Sequence, residues 1–184
     1  MRLFSTLFLL IAGSAALACS DPNALAKPAN SNFEDTLTLY ALHGTPIATP
    51  SAFSVPEGPI RTDRTSNFEF AYDVGPQGEH LFLPLAVLDI SGSISVNPGL
   101  LPSSKLFVDV HRAPSNGYIT TDTVVVDSGD IFVVRSRLVC NIGVSEYAKL
   151  QVLSFDDAQR SVTFRVLANI NCGYKDLDPG FPKD

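Results

Sequence analysis

The sequence predicts an all-β fold: a single domain of mostly antiparallel strands, built as a β-sandwich or open barrel. Three observations predict it. Several runs alternate polar and apolar residues with a period of two, the signature of strands with one buried face. The chain carries 12 Gly and 13 Pro, and they fall between those runs, where turns need them. No stretch shows a long amphipathic helical pattern, and no internal repeat is visible.

The elements follow in order. Residues 19–35 are rich in Asn, Ala, Pro and Ser, lack apolar periodicity, and read as a flexible tether. Thr36 to Leu42 alternates as a half-buried strand that ends at His43-Gly44. Pro46, Pro50, Pro56 and Pro59 restrict the next segment to loop or sheet edge. Phe68, Phe70 and Tyr72 share one face of a strand, with Glu69 and Ala71 on the other. After the turn Gly75-Pro76-Gln77-Gly78, Leu81 to Ile90 reads as an apolar strand, and Leu106 to Val110 as another. Thr123 to Val126 and Ile131 to Arg135 flank Asp127-Ser128-Gly129-Asp130 in a hairpin-like arrangement. The clearest hairpin joins Tyr147–Phe155 to Ser161–Leu167, with Val162, Phe164 and Val166 buried and Ser161, Thr163 and Arg165 wet. The all-β domain spans residues 36–184; its strands end by residue 172, and the tail from Gly173 to Asp184 is irregular.

The first residues carry an address. Arg2 precedes an uncharged stretch from Leu3 to Leu17 rich in Leu, Phe, Ile and Ala. This is the layout of a signal peptide, residues 1–18, and it is shorter than the roughly 20 apolar residues of a spanning helix. Ala16-Leu17-Ala18-Cys19 resembles the bacterial lipobox, with Ala16 where Leu is usual. The expectation is cleavage before Cys19 and acylation of its thiol, palmitate-type chains then holding the body on a bilayer. Ordinary cleavage after Ala18, leaving a free thiol, is the alternative. Ser20 rather than Asp follows the Cys, which by resemblance to enterobacterial sorting points to the outer membrane, facing the periplasm or the surface. Without Arg2 the chain keeps 12 of its 13 basic residues against 19 acidic ones, a formal charge of −7. That balance argues against nucleic acid as a partner and against electrostatic attachment to anionic lipid.

Cys140 and Cys172 remain, an even pair in an oxidising compartment, and neither has a nearby His or second Cys to make a metal site. A disulfide is expected. It would close a loop of about 30 residues and contribute about 3 kcal/mol through chain entropy. No serine-hydrolase elbow, zinc-binding His pair or phosphate-cradling Gly-rich loop occurs. Asp156-Asp157 and Asp127/Asp130 are turn formers first and calcium ligands second. His43, His80 and His111 end strands or sit in turns, and Tyr118 and Tyr174 could stack on a flat ligand.

Two resemblances complete the reading. Ile131-Phe132-Val133-Val134-Arg135, Tyr147-Ala148-Lys149-Leu150-Gln151-Val152-Leu153-Ser154-Phe155 and Val162-Thr163-Phe164 resemble the C-terminal part of the HmuY-type lipoproteins, β-rich haem-binding proteins tethered to the outer surface. Phe68-Glu69-Phe70-Ala71-Tyr72 looks loosely like that family's early aromatic strand. The frame Cys140, Tyr147-Ala148-Lys149-Leu150, Asn171-Cys172-Gly173 is similar to that of a set of exported lipoproteins from environmental bacteria. The HmuY likeness implies haem as a cofactor held by two His, yet His43, His80 and His111 do not map onto that family's ligands, and the Cys pair is foreign to it. The expected function is therefore a non-enzymatic, membrane-tethered binding or envelope-structural module with no cofactor. Its ligand site is sought among His43, His80, His111 and Tyr118. A haem-binding lipoprotein and a hydrolase are the alternatives.

Overall fold

The computed structural model describes residues 25–90, 96–140 and 143–183. The expected signal peptide, Cys19, Gly92 and Asn141-Ile142 lie outside the described residues. The chain forms two five-stranded sheets packed face to face, a β-sandwich rather than a barrel. The larger sheet holds β1 (Phe33–Tyr40), β10 (Ser161–Asn169), β9 (Ser145–Asp156), β8 (Ile131–Leu138) and β6 (Gly99–Ser103), in that spatial order. The smaller holds β3 (Gly58–Ile60), β2 (Ala52–Ser54), β4 (Phe70–Val74), β5 (His80–Pro84) and β7 (Val124–Val125). Every pairing in both sheets is antiparallel.

The alternation read in the sequence decides which faces meet. Val162, Phe164 and Val166 of β10 point inward with Leu150 and Val152 of β9 and Phe132 and Val134 of β8. Phe53, Phe70, Tyr72 and Phe82 answer them from the smaller sheet. The rings of Phe70 and Phe82 lie 4.5 Å apart, and Phe164 meets Phe53 edge-on at 5.7 Å. Such pairs add about 0.5–1.5 kcal/mol each beyond their area. Pro59 sits on the edge strand β3, where its missing N–H breaks no ladder.

Five expectations change. Phe68 does not share the face of Phe70 and Tyr72: it precedes β4 and packs with Ala71 and Leu85 on the other side of the smaller sheet. Leu81–Ile90 is not one strand: β5 stops at Pro84 and Leu85–Leu88 turns as a 3₁₀ helix. Proline ends the ladder, and the turn buries Leu85 against Phe68 beneath the smaller sheet. Leu106–Val110 is not a strand either; Phe107–Asp109 is a 3₁₀ turn. Leu106 and Val108 stay exposed while Phe107 and Val110 pack onto the outer face of the larger sheet. β7 and β8 do not form a hairpin, because β7 pairs with β5 and β8 with β9 and β6. The Asp127–Asp130 turn thus carries the chain from one sheet to the other. Lastly, Phe33–Asp35 belong to β1, and Ala29 and Asn30 donate backbone N–H groups to Asn171 Oδ1. The last residues assigned to the tether are held by the body.

The outer face of the larger sheet is not wet throughout. Residues 111–113 pair with 175–177 through Ala113 N to Lys175 O and Leu177 N to His111 O. Phe107, Val110, Ala113 and Leu177 then cover Ile131, Val133, Tyr147 and Leu167. This third, irregular layer is tied to β10 by Asn169, whose side chain donates to Asp176 O at 2.7 Å. The Cys140–Cys172 disulfide forms as expected, with Cα atoms 5.9 Å apart. It links the chain just after β8 to the chain just after β10, across the first residues of β9.

Candidate functional site

The third layer makes a site by standing off the sheet. Lys149 of β9 and Arg165 of β10 project from the outer face, and Phe107 lies over both. The Arg165 guanidinium carbon sits 3.9 Å from the Phe107 ring centroid and Lys149 Nζ 4.8 Å from it, cation–π distances. Beside them opens a cavity of about 230 Å³, walled by Phe107, Val108 and Leu167 and edged by Asp178. Lys149 is 2% exposed and donates Nζ–H to Val110 O at 2.9 Å. Burial lowers its pKa, opposed by the nearby Asp178 and Glu34. Arg165 Nε is buried without an acceptor among the described residues. Glu34, half exposed, stands 3.8 Å from its Nη1. Two cations on an apolar floor can hold the head of an anion whose body is apolar.

The residues singled out in the sequence scatter. His111 does not line this cavity but contacts Asp178 at its edge, with Nδ1 2.6 Å from Asp178 Oδ1. His43 and His80 lie at the far end of the sandwich, by the β9–β10 turn. His43 Nδ1 is 2.5 Å from Asp73 Oδ2. His80 Nδ1 and the Tyr72 hydroxyl share a hydrogen bond of 2.7 Å, and His80 stacks on Phe155 with ring centroids 3.6 Å apart. Burial pushes the Tyr72 phenol up, which keeps its proton available for that bond. Successive strand residues face opposite ways, so Tyr72 and Asp73 hold His80 and His43 on different faces of β4. The three imidazoles do not fit paired ligation of one haem iron. Tyr118 donates its hydroxyl to Pro114 O and stacks under Arg135 at 4.6 Å, and Tyr174 is buried; both pack. Asp130 and Asp156 accept the backbone N–H of Asp127 and Gln159, as turn residues do.

A second charged group is sealed in the core. A β-bulge between Arg135 and Leu138 sets Ser136 and Arg137 against the single Glu146, and bulges re-aim side chains. Ser136 Oγ accepts the Glu146 N–H. Arg137 Nη1 lies 3.5 Å from Glu69 Oε1, whose other oxygen accepts Val55 N–H. Glu69 is fully buried. Burial pushes its carboxyl up to about 8 against the pull of the Val55 N–H and Arg137, and burial pushes Glu146 up to about 7. The only cluster of potential metal ligands among the described residues is Glu146 with Cys140 and Cys172. Those sulfurs are bonded to each other, so no thiolate is present to bind an ion.

The alternation of β10 puts Arg165 on its solvent side, and nothing local in the sequence shows that Phe107 covers it and Lys149. A signal of some cover was there: Tyr147 and Leu167 lie on that same face, and apolar residues among polar ones mark partial cover. No family model, no curated protein and no solved structure matches this chain.

Proposed function

We propose that this protein is an exported lipoprotein, held in the cell envelope by acylated Cys19, whose β-sandwich is a binding module for a small amphiphilic anion. The observation that carries the binding role is Lys149: a lysine 2% exposed, whose ammonium has one acceptor among the described residues, beside a cavity of about 230 Å³. A buried charge of this kind needs a partner, and the apolar walls suit an alkyl or aryl body. The Cys140–Cys172 bond supports an oxidising compartment, in keeping with the signal-peptide layout and the lipobox likeness. An anion entering the cavity would take Glu34's place at Arg165 and accept from Lys149.

The test is thermal denaturation with octanoate, octyl phosphate and octanol at equal concentration. Octanoate or octyl phosphate should raise Tm, octanol should not, and Arg165→Met should abolish the rise. Equal shifts with octanol, or none with either anion, overturn the proposal.

A further inference from the structure

The chain is acidic as a whole, but its charge is unevenly spread. Where residue 25 enters the body, three surface grooves adjoin one another. The first is lined by Leu25, Arg112, Lys175 and Lys183, the second by Lys27 and Asn171, and the third by Arg135, Gly173 and Lys175. No carboxylate lines any of the three. Lys27, Arg112 and Lys183 are exposed. Among the described residues none of these five cations lies within 4.0 Å of a carboxylate. The nearby Asp176 is turned inward, its oxygens accepting Asp178 N–H and Lys183 N–H. Two residues before Lys183, Phe181 is 61% exposed.

The position of this face matters as much as its charge. Leu25 lies so close to Gly173 that a Cβ there would sit 2.6 Å from its side chain. Leu25 is six residues beyond Cys19, so the chain spans at most about 21 Å between them, whatever its conformation. An acyl chain on Cys19 therefore keeps this face within reach of the headgroups. Cations that have no carboxylate partner among the described residues, on a short leash next to a bilayer, are drawn to anionic lipid, and the attraction falls off within a Debye length of about 8 Å at physiological salt.

We infer that the face formed by Lys27, Arg112, Lys175 and Lys183 docks on the anionic headgroups of the same bilayer that holds Cys19, with Phe181 entering the interface. The inference rests on the lipid-anchor reading above. It corrects what net charge alone implied, because a formal charge of −7 does not describe this face. Docking turns the tethered end towards the membrane and the β9–β10 turn, with His43 and His80, away from it.

The chain has no Trp, so one introduced Trp reports its own surroundings. The full acylated protein carrying Phe181→Trp is placed on vesicles of brominated phosphatidylcholine, with and without phosphatidylglycerol. Ile47→Trp, at an exposed loop position beside His43, is the control. Intact mass first establishes acyl chains on Cys19. The expected result is quenching of the residue-181 Trp on anionic vesicles, relieved by 0.5 M salt and weak on neutral ones, with the residue-47 Trp unquenched throughout. Replacing Lys27, Arg112, Lys175 and Lys183 by Gln should abolish the salt-sensitive quenching, each cation being worth about fivefold in the docking equilibrium. An acylated, vesicle-bound protein whose residue-181 Trp is unquenched, or quenched regardless of salt and lipid charge, overturns the docking and leaves the anchor standing. Retention on a soluble sulfated polysaccharide without quenching assigns the face to an anionic glycan and likewise overturns it. Absence of acyl mass overturns the anchor, and the docking with it.

Discussion

The two ends of the sandwich hold similar chemistry in opposite surroundings. At the disulfide end, Arg137 sits between Glu69 and Glu146 inside the core, and Glu69 Oε1, Arg137 Nη1 and Glu146 Oε2 are buried with no hydrogen-bond partner among the described residues. At the β9–β10 turn end, Arg160 sits among His43, Asp73 and Val74, donating to His43 O at 2.9 Å and to Val74 O at 3.3 Å, with its Nη2 4.0 Å from Asp73. His43 is 83% exposed there. Arg160 is 34% exposed against 17% for Arg137, and Glu69 is fully buried, so water replaces partners more readily at the turn end than at the disulfide end. The same residue types should therefore be structurally decisive at one end and nearly neutral at the other.

The sharpest way to break the comparison is Arg137→Met. At pH 8 the substitution leaves two buried carboxyls without their cation, and unfolding free energy should fall by about 3–5 kcal/mol. Adding Glu69→Gln should recover a large part of the loss, since a neutral amide needs no counter-charge. Chemical denaturation of the single and double variants measures both. A loss below 1 kcal/mol for Arg137→Met would show that water reaches the cluster.

The second test varies pH. Both carboxyls are raised by burial above an ordinary glutamate value of 4.5, Glu69 to about 8 and Glu146 to about 7. The folded state thus keeps protons that the unfolded chain has already released. That contribution to stability is whole below about pH 4.5 and is lost as pH rises through 7 and 8. The facing groups are Arg137 on β8, Glu146 on β9 and the Val55 N–H after β2, and Arg137 with the Val55 N–H holds Glu69 below where burial alone would put it. Tm should drop by about 5 °C between pH 5.5 and 8.5, and Glu69→Gln should flatten most of that slope. A Tm that rises over this range would contradict the buried assignment.

The same contrast explains what was legible in the sequence. Period-two alternation marked β9 and β10 and the inward set Val162, Phe164 and Val166, because a strand's faces are a local property. The disulfide was legible because the signal-peptide reading of the first residues placed an even pair of Cys in an oxidising compartment. Phe107 was not: an apolar run such as Leu106–Val110 fits a strand or a turn until one knows what its Phe covers. Nor was Glu69, whose partners Arg137 and Glu146 lie on the other sheet, 68 and 77 positions away. Its run, Phe68 to Tyr72, alternates in a way that places Glu69 in solvent. The candidate site was least legible of all, since the layer that converts Lys149 and Arg165 from surface charges into a cavity floor is irregular and non-local. None of the predicted site residues lines that cavity; His111 only bonds Asp178 at its edge.

The smallest effect tests the exposed end itself. Arg160 closes the β9–β10 turn with φ of 52°, in the left-handed region that costs an L-residue about 1 kcal/mol. Its guanidinium donates to the carbonyls of His43 and Val74, partly in water, where such bonds are worth little net. Two substitutions separate these contributions. Arg160→Ala removes the bonds and keeps the backbone strain. Arg160→Gly removes both, because glycine enters this region without penalty. If exposure makes the bonds weak, the Ala variant should lose no more than about 1 kcal/mol, and the Gly variant should be about 1 kcal/mol more stable than the Ala variant. Thermal denaturation of the pair, read against wild type, gives both differences. A loss of 3 kcal/mol in both variants would mean that the guanidinium holds the turn end as firmly as Arg137 holds the core, and the distinction between the two ends would collapse.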